Sequence, residues 1–122
     1  KYQAIHQFFS GFDLPAYEEN SVPTGDDAPD FPYLTYSLST AFALDQALLP
    51  FSLWYRSTSQ REINLKTAEI AQAVGLAKVL PCDEGAVIVR PETPFAQGMS
   101  DESDPLIKRK YINLSATYVT TY

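Results

Sequence analysis

The chain has 122 residues, enough for one domain around one core. Hydrophobic residues make up 45% and charged residues 20%, ordinary globular proportions, and no apolar run approaches the roughly 18–20 residues that would span a membrane. A net charge of −6 argues against a tight grip on a phosphate backbone, which takes clustered Lys and Arg.

Lys1 opens a mixed, amphipathic stretch, so no secretory segment is expected there. Tyr2, Ile5, Phe8 and Phe9 share one helical face, and Gly11 ends that helix. Residues 13–32 read as one long acidic loop. Pro15, Pro23, Gly25, Pro29 and Pro32 punctuate it, and Asp13, Glu18, Glu19, Asp26, Asp27 and Asp30 charge it. A loop of that length in a compact domain tends to be an interaction arm.

Residues 31–43 read as a strand, with Tyr33, Leu34, Thr35, Tyr36 and Leu38 as its β-formers and apolar positions. Asp45 and Gln46 mark a turn into a second strand, Leu48 to Ser57. Phe51, Leu53 and Tyr55 lie on one of its faces and Ser52, Trp54 and Arg56 on the other, and Pro50 belongs near its start. Two adjacent strands with a short connection predict an antiparallel hairpin. Trp54 is expected to behave as a large core aromatic.

A helix is predicted over 60–74. Ser59 offers a cap, Glu62 follows three residues later, and Gly75 stands at the stop. Ile63, Thr67, Ile70, Ala71 and Val74 form its sheet-facing stripe, and Glu62 and Lys66 are spaced for an i,i+4 pair. Beyond it, residues 78–80 form a short strand or turn broken by Pro81, and 86–89 a β-branched strand ended by Pro91. The last strand, 108–120, alternates most clearly: Ile112, Leu114, Ala116 and Tyr118 point one way, Tyr111, Asn113, Ser115 and Thr117 the other. These elements predict an α+β fold, a mainly antiparallel four-stranded sheet with one main helix packed on one face plus an N-terminal helix.

The residues offer little chemistry. Cys82 and His6 are each the single one of their kind and sit in no nucleophile motif, and together they supply too few donors for zinc. The single cysteine also leaves no internal disulfide, in keeping with a reducing cytosol. Neither acidic knot matches a calcium loop, and the five glycines make no phosphate-binding spacing. No cofactor and no catalytic residue is expected. The one basic run, Lys108, Arg109 and Lys110, directly follows the acidic knot Asp101, Glu102 and Asp104. These six residues are the candidate interface: acids of one copy against the basic strand end of the next.

Several stretches carry a resemblance along nearly the whole chain: Phe8 to Phe12, Leu14 to Tyr17, Phe31 to Tyr36, Leu53 to Ser59, Ala68 to Gly75, and Thr93 to Gln97 with Met99 and Asp101. In order, they resemble the small tail terminator, or tail completion, proteins of long-tailed bacteriophages and prophages of Gram-positive bacteria, some described as head–tail joining or minor capsid proteins. The resemblance implies an α+β subunit without catalytic residues. It also implies a homo-oligomer, a hexameric ring on the head-proximal end of the tail tube, assembled in the bacterial host cytoplasm and carried in the virion. Its partners would be the tail tube protein and the head connector protein, with DNA passing through unbound. An acidic lumen would let a duplex slide. Two rival classes are a protein-binding module acting through the acidic 13–32 loop and a metal-dependent hydrolase using the acidic loops.

Overall fold

The computed structural model describes residues 2–39, 46–100 and 103–120. Two α-helices, α1 (Tyr2–Ser10) and α2 (Arg61–Val74), accompany seven strands: β1 (Ala16–Glu18), β2 (Tyr33–Tyr36), β3 (Gln46–Leu48), β4 (Phe51–Arg56), β5 (Lys78–Cys82), β6 (Gly85–Ser100) and β7 (Ile107–Thr120).

The sheet order is β1-β2-β4-β7-β6-β5, with β3 also paired to β7. The expected four-stranded, mainly antiparallel sheet is therefore corrected. The sheet has seven strands and is mixed, because β1 runs parallel to β2 while every other described pairing is antiparallel. Two of the extra strands, β1 and β3, are three-residue pieces whose partners are distant in sequence, and the third, β5, forms a hairpin with β6. β1 lies inside the segment expected to be loop. β3 contains Gln46, expected in a turn, and takes the same register on β7 as β4 does, with Leu49 and Pro50 between the two. The expected β2–β4 pairing is present and antiparallel, from Tyr33↔Trp54 to Tyr36↔Phe51.

The prolines expected to end strands do not. Pro81 sits inside β5, at the sheet edge where a missing N–H is tolerated, and Pro91 lies in β6 beyond the last residue that pairs with β5. After Pro91 the ladder with β7 slips and resumes at Ala96↔Ile112. β6 is therefore a sixteen-residue strand rather than the short one expected.

Both helices pack on one face of the sheet. α2 lies against β4, β6 and β7, while α1 touches β1 and β5, the two ends of the curled sheet. Ile5 and Phe9 of α1 and Ile63, Ile70 and Val74 of α2 are buried in one cluster with Leu34, Tyr36, Phe51 and Leu53, and with Ile112, Leu114, Ala116 and Tyr118 of β7. Phe9 stacks on Tyr36 with ring centres 4.8 Å apart and leans on Phe51 at 5.0 Å. Each such side chain removed from water contributes about 1.5–3 kcal/mol.

The ends of α2 are marked as the sequence suggests, with differences in detail. The Arg61 N–H donates to Ser59 Oγ at 3.1 Å, from one residue before the cap position that Gln60 occupies. Gly75 holds φ 59° and ψ −138°, and its N–H donates to the Ala71 carbonyl. Lys66 does not pair with Glu62. Its ammonium donates to Glu69 at 3.1 Å and to the Phe12 carbonyl at 2.8 Å, which ties α2 to the turn after α1.

Candidate functional site

With both α-helices on one face, the opposite face of the sheet carries no α-helix among the described residues, only the short 3-10 turn Glu19–Ser21 at its margin. Its register rows place Tyr33, Trp54, Arg109 and Met99 side by side, then Thr35, Ser52, Tyr111 and Gln97. Tyr33 and Trp54 stack with centroids 6.0 Å apart and planes 12° from parallel, and Tyr17 and Phe31 both pack on Tyr33. The indole N–H of Trp54 donates to Thr35 Oγ1 at 2.9 Å. The Arg109 guanidinium lies 4.6 Å from the Trp54 ring centre and 5.7 Å from that of Tyr111, and its Nε donates to the buried Ser52 hydroxyl at 3.1 Å. Arg109 makes no ion pair with any described residue. A groove of about 300 Å3 runs along this cluster between Glu19, Val22, Tyr33, Thr35, Trp54 and Arg109. Burial raises the Tyr33 phenol pKa and keeps that ring neutral.

The pleat of β7 divides the candidate basic run. Arg109 lies on the helix-free face. Lys108 and Lys110 share parity with Ile112 and stand in register with Tyr55 and Leu53, on the helix-bearing face. The Lys108 ammonium donates to the Pro105 carbonyl at 2.6 Å. Asp104 pairs with Arg56 at 3.1 Å, and its second oxygen accepts the Leu106 N–H. Asp104 thus has partners within its own chain, at the turn that joins β6 to β7. Asp101 and Glu102 lie outside the described residues. Of the four candidate interface residues that are described, Arg109 is on the opposite face of the sheet from Lys108 and Lys110.

Sequence reasoning placed Trp54 and Ser52 on the face away from Phe51 correctly. It missed that Tyr33, Thr35 and Arg109 join them, and it treated Trp54 as core. The signal was available: Tyr33 and Thr35 alternate with the buried Leu34 and Tyr36, and Arg109 with Lys108 and Lys110. What the sequence lacks is the pairing that brings β2, β4 and β7 side by side.

His6 shares a 2.8 Å hydrogen bond with the Tyr36 hydroxyl and a 3.3 Å one with Ser10 Oγ. Cys82 belongs elsewhere, in a polar groove with Gln3, Ala4, Gln7 and Asp83. Among the described residues, no group of three or more His, Cys, Asp and Glu could hold a metal ion. Among the described residues, no helix is long and apolar enough to cross a membrane. The chain matches no known protein family, no curated protein and no solved structure.

Proposed function

We propose that this protein is a structural virion subunit, a tail terminator or tail completion protein of a long-tailed bacteriophage or prophage. In this reading identical copies close into a ring that caps the tail tube and offers its other side to the head connector. The supporting observation is the sheet face that bears no α-helix, where Tyr17, Tyr33, Trp54 and Arg109 form a half-buried cluster flanked by Glu19 and Val22. Aromatic and arginine side chains gathered in one patch are the usual anchors of protein contacts. A cation laid on an indole and held by a serine is oriented before any partner arrives, which lowers the entropy lost on association.

A closed ring needs two different patches on each subunit, meeting head to tail. A duplex passing through must slide rather than bind, and a chain of net charge −6 suits that task. Negative-stain imaging of concentrated protein tests the reading. Annular particles are expected, and a field of single small particles, unchanged by adding tail tube protein, overturns it.

A further inference from the structure

We propose that the open edge of β6 over residues 96–100 is the seam of the assembly, where a second copy adds its β1 strand and the two sheets become continuous. The proposal rests on the ring reading and names the contact that closes the ring.

Beyond Val89, β6 pairs only with β7, and no described strand occupies its other side. From Ala96 to Ser100 the register with β7 is regular, so alternate backbone groups face outward in the geometry of a strand. Gln97, Gly98 and Met99 are exposed, with Met99 at 46%. Residues 96–100 themselves include neither a proline nor a charged side chain, the usual defences of an edge strand against strand addition. The β5 edge carries both, in Pro81 and Lys78. A bare row of N–H and C=O groups selects a strand as its partner.

Strand direction selects β1 of another copy. β1 is parallel to β2, and the following pairings alternate through β4 and β7 to β6, so β1 and β6 run in opposite directions. A neighbour in the same orientation therefore presents β1 antiparallel to β6. On its outer side β1 has no backbone partner among the described residues. Two different edges meeting head to tail close a ring, whereas β6 against β6 would stop at a two-fold dimer.

Charge supports the same match. Gly98 stands beside Lys110, whose ammonium lies 3.8 Å from the point a Gly98 Cβ would occupy, over the edge strand itself. Lys110 makes no ion pair among the described residues. β1 ends in Glu18, which is in register with the buried Tyr36 and so lies on the helix-bearing face, the face Lys110 occupies. Joining the edges brings Glu18 of one copy to Lys110 of the next, on the same side of the continuous sheet.

Charge reversal tests the seam. Lys110→Glu and Glu18→Lys should each weaken assembly by about tenfold or more in sedimentation, and the two combined in one chain should restore it. Unaltered assembly of both single variants, or no recovery in the double, overturns the seam while leaving the ring reading standing. Wild-type protein gives a readout that does not depend on how the variants fold. On going from dilute to assembled protein, amide exchange at 96–100 and 16–18 should slow by about a hundredfold, and equal exchange in both states overturns the seam. Wild-type protein that never assembles overturns seam and ring together.

Discussion

Arg109 lies over the Trp54 ring at 4.6 Å, while its chain neighbours Lys108 and Lys110 stand on the other side of the sheet. Three consecutive basic residues thus have separate roles. The strand period of two divides them: one cation joins an aromatic cluster and two flank the helix-bearing side.

Arg109→Ala should destabilise the monomer more than Lys108→Ala. The first removes two aromatic contacts and the hydrogen bond to the buried Ser52, for about 1–2 kcal/mol. The second removes a bond from a half-exposed lysine to a loop carbonyl and should cost under about 0.5 kcal/mol. Urea denaturation monitored by circular dichroism separates the two. Equal losses would mean that the guanidinium contributes nothing where it lies.

Trp54→Ala should cost about 1–2.5 kcal/mol, below the roughly 3–5 kcal/mol expected of Phe9→Ala in the core. Trp54 is half-buried on the helix-free face and holds Thr35 through its N–H, whereas Phe9 is wholly enclosed between Tyr36 and Phe51. The expectation drawn from its size alone is corrected by its position. The same denaturation series ranks the two variants.

The alternation of β4 and β7 was readable because each strand carries a long apolar stripe, from Phe51 to Tyr55 and from Ile112 to Tyr118. α2 was readable because Ile63, Ile70 and Val74 recur at helical spacing between marked ends. β1 was not readable, since three residues between Pro15 and Glu19 carry no periodicity and become a strand only when β2 lies alongside. The length of β6 was hidden by Pro91, which reads as the end of the strand and is tolerated because it lies beyond the residues paired to β5. The aromatic–guanidinium cluster was half legible: alternation assigns the face, but only the strand order places Tyr33, Trp54 and Arg109 in one row.

Gly75→Ala should cost about 1–3 kcal/mol although no atom lies near the added methyl group. The penalty comes from the backbone, because φ 59° with ψ −138° is a combination that glycine alone adopts readily. Thermal unfolding of the variant should show a lower midpoint, and an unchanged midpoint would mean that the end of α2 relaxes freely.

Alkaline pH should destabilise the fold through its buried phenols. Burial is the largest cause of the raised pKa values of Tyr33, Tyr36 and Tyr55. The Glu18 carboxylate adds to it at Tyr36, and Glu62 and Glu69 add to it at Tyr55. For a group whose folded pKa is raised, the stabilisation is complete below the unfolded value, about 10 for tyrosine, and is lost as pH rises through the folded value. Stability should therefore hold steady to about pH 10 and fall above it, in step with phenolate absorbance. Tyr36→Phe should flatten that fall, and an unchanged slope would assign it to the other phenols.

In the proposed ring, identical copies of this chain associate head to tail until the assembly closes. Native mass spectrometry of concentrated protein measures that directly. A single dominant species at an integral multiple of 13.6 kDa, with six copies expected, is the predicted result. A spectrum holding only the 13.6 kDa chain at every concentration, with and without tail tube protein, would contradict it.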